Sequence, residues 1–135
     1  MIIETYHHKG GGYNPFFIKD NWQVAQLNYM PELGFRSIEK LEKHMETDEI
    51  FILTKGIALL IIGLETATEL QFQLTKMEPG VTYNVPVNAW HNIAMSTDAE
   101  VIIVEKSNTH LGDFIYRHLD KTEQENLVKK ISSLL

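Results

Sequence analysis

The chain has 135 residues, no cysteine, and 12 basic against 18 acidic residues, which give a formal net charge of −6. A chain without cysteine has no disulfide, no thiol nucleophile and no zinc–thiolate cluster. Its acidic balance argues against a nucleic-acid partner or an anionic membrane surface, both of which attract basic patches. The length suits one domain over residues 1–135. No signal-peptide pattern and no apolar run of about 20 residues is present, so we expect a cytoplasmic protein without a membrane span.

The first third of the chain predicts short strands separated by flexible segments. Residues 1–6 alternate weakly and predict an edge strand. His7 and His8 precede three glycines in a flexible joint, and this histidine pair either is solvated or binds metal. Residues 21–30 predict a strand that Pro31 and Gly34 end. Residues 35–44 predict irregular chain that passes into a short strand.

The middle of the chain predicts six more strands with turns every 8–12 residues, a pattern typical of sandwiches and barrels. The apolar runs and the turn residues between them place these strands at residues 49–54, 57–64, 69–77, 81–85, 90–95 and 101–104. Residues 107–112 predict a loop, and residues 113–118 one more edge strand. The fold class is therefore all-β, with a barrel core over about residues 22–106.

The last residues predict one amphipathic helix over about residues 122–134. Thr122 and Glu125 have the spacing of a capping box, with Thr122 as the N-cap. Leucine, valine and isoleucine recur after it at helical spacing. Residues 57–62 are apolar on both faces of their predicted strand. One face fills the barrel, and the other needs a cover, either the C-terminal helix or another subunit, so we expect a homodimer.

The stretch from His44 to Gly56 has the composition of a functional site. His44 and Glu49 would point to opposite faces of one unbroken strand. The turn-forming residues 46–48 predict two antiparallel strands instead, which bring both side chains to one site. His91 follows in a similar strand–turn–strand setting. Two imidazoles with one or two carboxylates suit Fe(II), Mn(II), Zn(II) or Ni(II).

Two segments resemble the two sequence motifs of the cupin superfamily. The first is Glu42-Lys43-His44-Met45-Glu46-Thr47-Asp48-Glu49 with Gly56 after six more residues; the second runs from Gly80 through Pro86 and Asn88 to His91. The resemblance implies a double-stranded β-helix, the cupin jelly-roll barrel (RmlC-like), with one C-terminal α-helix. It also implies a divalent metal, since metal-binding cupins carry ligands in both motifs.

Carried over residue by residue, the resemblance makes His44, Glu49 and His91 metal ligands. Glu42 stands where the first histidine of the motif usually stands, and it either ligates the metal or turns out to solvent. Asn88 replaces a usual glycine, which asparagine permits because it tolerates positive φ. Met95 replaces a usual asparagine and makes the floor of the site less polar.

The walls of the site are predicted to be apolar, as in most small-ligand sites. By strand parity Phe51, Leu53, Ile93 and Met95 point inward with the polar groups, which predicts a small-molecule ligand or substrate. Trp22, Tyr29 and Tyr83 either stack on a ring at the mouth or are ordinary core and rim residues. His110 and His118 are expected at the surface.

Three functional hypotheses follow. The first is a metal-dependent enzyme acting on a small organic substrate, with the metal as Lewis acid or as the site that activates O₂ or water. The second is a non-catalytic, metal-free module that binds or senses a sugar or small acid. The third, a purely structural dimer, has the least support because inward polar residues would then be a needless cost. The sequence identifies no catalytic residue and no reaction.

Overall fold

The computed structural model describes residues 2–135 and consists of two five-stranded antiparallel sheets with one C-terminal helix. The strands are β1 (Gly12–Lys19), β2 (Trp22–Asn28), β3 (Lys40–Lys43), β4 (Glu49–Lys55), β5 (Ala58–Glu65), β6 (Leu70–Lys76), β7 (Thr82–Val85), β8 (Trp90–Met95), β9 (Glu100–Lys106) and β10 (Ile115–His118). The helices are a single turn α1 (Thr109–Gly112) and the longer α2 (Lys121–Ser133), with a 3₁₀ turn at Pro31–Leu33.

The strand order is β1-β2-β9-β4-β7 in one sheet and β10-β3-β8-β5-β6 in the other. Strands distant in sequence therefore lie side by side, as β4 and β9 do, which is the arrangement of a jelly roll. The inner faces of the two sheets pack on each other through buried side chains of both, among them Phe51, Leu60, Ile93 and Ile103. The predicted all-β jelly-roll class with one C-terminal helix is confirmed.

The apolar strand β5 buries both of its faces, as its composition indicates. Leu60 lies in the core between the sheets, whereas Leu59 and Ile61 point the other way. Their outward face is covered by Leu127 and Ile131 of helix α2, both of which are essentially inaccessible to solvent. The helix therefore supplies the cover that β5 needs, and this face provides no argument for a second subunit.

Helix α2 begins two residues earlier than the sequence pattern suggests. Asp120 is the N-cap, and its carboxylate accepts a hydrogen bond from the backbone N–H of Glu123. The Glu123 carboxylate in turn accepts from the N–H of Asp120, which completes a capping box. The predicted N-cap at Thr122 is wrong because Asp120 and Glu123 have the same spacing and Glu123 is also held by Arg117.

The N-terminal part of the chain differs from the sequence prediction. Residues 2–11 form no strand, so the predicted edge strand at residues 1–6 is wrong over its described part, 2–6; Met1 lies outside the described residues. The edge strand is β1, which the glycines and Pro15 in this segment conceal. A register shift between Asn14 and Phe17 accommodates the proline in its pairing with β2.

The turn at Asn88 agrees with the sequence prediction, and the segment after β9 differs from it in two details. Asn88 has a φ of 66°, as its place in a tight turn predicts. The segment predicted as a loop over residues 107–112 contains helix α1, and strand β10 begins at Ile115 rather than at residue 113. In residues 2–135 there is no helix with both the length and the apolarity needed to cross a membrane.

Candidate active site

The candidate site is formed by side chains from strands β3, β4, β8 and β9 and from the turn after β3. Strand β3 contributes Glu42, and the turn after it contributes His44. Strand β4 begins with Glu49, and strand β8 carries His91, whose Cα is paired with that of Glu42. The sharp turn between His44 and Glu49 brings both side chains to one place, as the sequence predicts. All four predicted residues thus converge, and His44, Glu49 and His91 are buried.

Glu49 joins the two histidines. Its Oε1 lies 2.9 Å from Nε2 of His91, and its Oε2 lies 3.4 Å from Nε2 of His44. Each carboxylate oxygen therefore faces a different imidazole. Ligand atoms about 2.1 Å from one metal are about 3.0 Å apart at right angles and about 3.4 Å apart at a tetrahedral angle. The separations here fit such a geometry, and the shorter one is also a hydrogen-bond distance.

Both imidazoles are fixed by their other nitrogen. Nδ1 of His91 lies 2.9 Å from the carbonyl oxygen of Ala89, and Nδ1 of His44 lies 2.6 Å from that of Asp113. A carbonyl oxygen only accepts hydrogen bonds, so each Nδ1 carries the proton. Each Nε2 points into the site toward Glu49, whose carboxylate favours the charged imidazole and raises the pKa of both histidines. A metal-ligating histidine has this orientation, and a metal would take the place of the proton on Nε2.

Glu42 points inward rather than to solvent. Its Oε1 lies 3.9 Å from Nε2 of His91, and about a third of its side chain is exposed. Burial raises the pKa of its carboxyl group above the ordinary value. Glu42, His44 and His91 together place one ligand atom each within 4.8 Å of one another, so this set could hold a metal.

Glu105 is a site residue that the sequence analysis missed. It lies on β9, where it is buried on the same face as Val101 and Ile103. Its Oε2 accepts hydrogen bonds from the Tyr13 hydroxyl at 2.5 Å and from Nε2 of Gln23 at 3.3 Å. His44, Glu49 and Glu105 form a second group whose ligand atoms lie within 4.8 Å of one another. The predicted strand ended at Val104; extending it by one residue would have placed Glu105 inward by parity.

Charge–charge contacts set the protonation of this cluster. Burial disfavours the charged form of both His44 and Glu49, but the contact between them outweighs burial. It raises the pKa of His44 to about 9, and the contacts of Glu49 with both His44 and His91 hold the pKa of Glu49 below its usual range. Burial and the nearby charge of Glu49 raise the pKa of Glu105 to about 8. Burial and Glu105 likewise raise the pKa of Tyr13.

Two buried polar atoms of the cluster remain unsatisfied. Nε2 of His44 and Oε1 of Glu105 find no hydrogen-bond partner among residues 2–135. Both side chains are only 6% exposed, so solvent does not reach them freely. An unpaired buried polar atom costs about 1–3 kcal/mol. Two such atoms beside an ionised carboxylate indicate a site that completes its bonding with something other than protein.

The cluster opens into a cavity of about 690 Å³. Phe51 and Ile93 line it as predicted, together with Leu27 and Ile103, while Leu53 and Met95 lie in the core behind it. Trp22, Tyr29 and Tyr83 do not line this cavity. Its other aromatic residues are Tyr13 and, from the segment around β10, Phe114 and Tyr116. His110 and His118 were expected at the surface; His118 is exposed and His110 is half-buried, and both line the cavity.

The segment before β10 also fixes His44 through hydrogen bonds. The Asp113 carboxylate accepts hydrogen bonds from the backbone N–H groups of Met45 at 2.8 Å and Glu46 at 3.0 Å. The carbonyl oxygen of the same residue accepts from the His44 ring. Asp113 therefore fixes both the turn after His44 and the orientation of its imidazole. This partner comes from 69 residues further along the chain, and no sequence pattern indicates it.

We expect Asp113→Ala to loosen the turn and the imidazole together. Hydrogen bonds to a charged group contribute about 1.5–3 kcal/mol when buried and less where water competes, so a loss of about 1–2 kcal/mol in unfolding free energy is expected. Urea unfolding measures the loss, and ¹⁵N NMR shows whether the His44 Nδ1–H is still held. Asp98→Ala, which removes a carboxylate bound only within its own turn, is the control. Unchanged His44 signals would show that Asp113 does not position the ring.

Comparison with known proteins finds similarity in structure only. No protein-family model matches the chain, and no curated protein sequence matches it. A variant of Streptomyces Pac13 solved with uridine superposes with a TM-score of 0.59 at 12% identity, covering 91% of this chain and 98% of that one. Pac13 is described as a nucleoside dehydratase.

Two further structures are similar. The capsular polysaccharide assembling protein CapF from Staphylococcus aureus has a TM-score of 0.57 at 18% identity. The alignment covers 84% of this chain, which spans about a third (34%) of CapF. A cupin-like protein from Thermotoga maritima has a TM-score of 0.47 at 19% identity, covering 79% of this chain and 73% of that one. At these identities the likenesses concern the fold alone.

Proposed function

We propose that this chain, which has the cupin fold, binds a divalent transition metal (Fe, Mn, Zn or Ni) at the inner end of its cavity and takes a small organic molecule beside it. His44, Glu49 and His91 are the proposed ligands, with Glu42 as the fourth. Glutamate in place of a histidine adds a negative charge, which favours harder ions over the softest ones.

The observation that carries this proposal is the arrangement around Glu49. Two imidazoles, each with its Nδ1 proton bonded to a backbone carbonyl, direct Nε2 at the two oxygens of one carboxylate. A metal ligated by Nε2 needs this tautomer and this convergence. The unsatisfied Nε2 of His44 supports the same conclusion, because a metal would satisfy it.

The other residues of the cavity have roles that follow from their chemistry. When bound, the metal would supply Lewis acidity to an oxygen of the small molecule. Phe51, Ile93 and Ile103 would exclude water from the inner end, where they line the cavity beside the polar cluster. Phe114 and Tyr116, whose ring centroids are 5.3 Å apart, offer apolar faces on which a ring can stack. Uridine, present in the Pac13 structure, is therefore the first molecule to test as a ligand.

The decisive experiment is the metal content of protein made without a polyhistidine tag, measured by elemental analysis. We expect at least one transition metal per chain after incubation with Fe(II), Mn(II), Zn(II) or Ni(II), and its loss in His91→Ala. His7→Ala removes an exposed histidine and should keep the metal. A native protein that takes up none of the four ions would contradict the proposal. It would favour the alternative, a metal-free cupin whose polar cluster binds a sugar or small acid directly.

The expected homodimer and the cytoplasmic location remain predictions. The apolar face of β5 that suggested a dimer is covered by helix α2 within one chain. A dimer would therefore need another surface. Sedimentation equilibrium distinguishes one chain from two.

A further inference from the structure

The polar cluster contains one ligand group more than the four proposed above for one metal ion. Two histidines and three glutamates lie together: Glu42, His44, Glu49, His91 and Glu105. They form two overlapping groups of three, Glu42 with the two histidines and His44 with Glu49 and Glu105. The second group is buried at all three residues. The metal proposed above does not require Glu105.

Glu105 presents one oxygen to the cluster without a partner. Tyr13 and Gln23 both donate to its Oε2, and Oε1 has no hydrogen-bond partner among the described residues. Nε2 of His44 is unsatisfied in the same way. These two atoms belong to the same three-residue group, so one cation between them would satisfy both.

Glu49 is placed to bridge two ions. Its Oε1 faces His91 and its Oε2 faces His44, so the two oxygens serve opposite sides of the carboxylate. Glu42 lies on the side of His91, 3.9 Å from its Nε2. Glu105 lies in the group of His44. Each side thus offers one imidazole and one further carboxylate, and carboxylate-bridged ions in enzymes lie about 3.5–4 Å apart.

The charge of the cluster also favours a second cation. One divalent cation balances two of the three carboxylates and leaves the third, Glu105, without a counter-ion. Two divalent cations leave none of the three carboxylates without a counter-ion. Burying an unpaired charge is expensive, so the second cation removes a cost that the first leaves in place.

We propose that the cluster binds two divalent metal ions bridged by Glu49, one held by Glu42 and His91 and the second by His44 and Glu105. The inference rests on the proposed function and revises its ligand set, because His44, one of the four ligands proposed there for one ion, is assigned to the second ion. It assigns Glu105 as a metal ligand and distributes the two histidines between the ions.

Titration with Mn²⁺ tests the proposal by stoichiometry and by electron paramagnetic resonance. The chelator-treated full chain should take up two Mn²⁺ per chain, and the bound pair should show the spectrum of exchange-coupled ions. Glu105→Gln, which keeps an acceptor for Tyr13, should take up one Mn²⁺ with an uncoupled six-line spectrum. Glu100→Gln, an equivalent change at the other end of β9, should retain two.

The outcomes separate the two proposals. No bound Mn²⁺, with none of the other metals bound, contradicts the proposed function itself. One Mn²⁺ per wild-type chain at saturation, uncoupled, overturns only the second ion and leaves the proposed function standing. Two coupled ions that survive Glu105→Gln overturn the assignment of Glu105. If Glu105→Gln does not fold, the stoichiometry and coupling of the wild-type protein still show whether the cluster binds two ions.

Discussion

Glu49→Gln is expected to abolish tight metal binding while leaving the fold intact. The substitution conserves shape but removes the charge that faces both Nε2 atoms, and its amide NH₂ group cannot ligate. Changes at groups one step removed from a metal cost about 10–100-fold in affinity. Removing the carboxylate that contacts both histidines should lower the metal affinity by more than that range. Competition with a fluorescent chelator measures the change.

Glu46→Gln provides the matched control, because Glu46 is an exposed residue of the neighbouring turn. It should bind metal as the wild-type protein does. The same pair of variants tests the electrostatics without metal. Glu49 raises the pKa of His44 to about 9, so Glu49→Gln should bring the pKa back toward 6.5 in an NMR titration. Wild-type metal affinity in Glu49→Gln would remove Glu49 from the ligand set.

Gly56→Ala is expected to be the most destabilising glycine substitution in the chain's turns. Gly56 has a φ of +78°, where an L-residue is strained by about 1–2 kcal/mol. A Cβ there would lie 2.6 Å from the Cα and 2.8 Å from the N of Ala99. Since these are backbone atoms, relief requires the β4–β5 turn to move away from the β8–β9 turn. Overpacking adds about 1–3 kcal/mol, for a total of about 2–5 kcal/mol in urea unfolding.

Gly80→Ala measures the cost of the backbone strain alone, without a steric clash. Gly80 has nearly the same φ, +77°, but a Cβ built on it meets nothing within 4 Å. The variant should lose only about 1–2 kcal/mol of unfolding free energy, which is the cost of the backbone strain. Equal losses in the two variants would show that the contact with Ala99 is relieved at no cost.

The convergence of His44, Glu49 and His91 was predictable from the sequence because the direction of each side chain depends on local features, whereas their role as metal ligands remains a proposal. Strand parity and the turn at residues 46–48 determine which way these side chains point, and both can be read from neighbouring residues. The same parity correctly directs Phe51 and Ile93 into the cavity. Asn88 adopts the positive φ that its turn needs.

Features that depend on distant parts of the chain were not predictable in this way. Asp113 supports His44 only because β10 folds back beside β3. Glu105 was missed by one residue at the end of a strand, and such ends are the least certain part of any pattern. Strand β1 was missed because pairing with β2 overrides the local preference of its glycine and proline.

The central claim is that Nε2 of His91 and Oε1 of Glu49 bind the same metal ion. Anomalous diffraction from a crystal of the Mn²⁺- or Zn²⁺-loaded protein, collected at the absorption edge of that metal, locates the ion directly. The claim predicts an anomalous peak within about 2.0–2.3 Å of both atoms. A peak only elsewhere, for example at His7 and His8, or no peak in a crystal grown with excess metal, would contradict it.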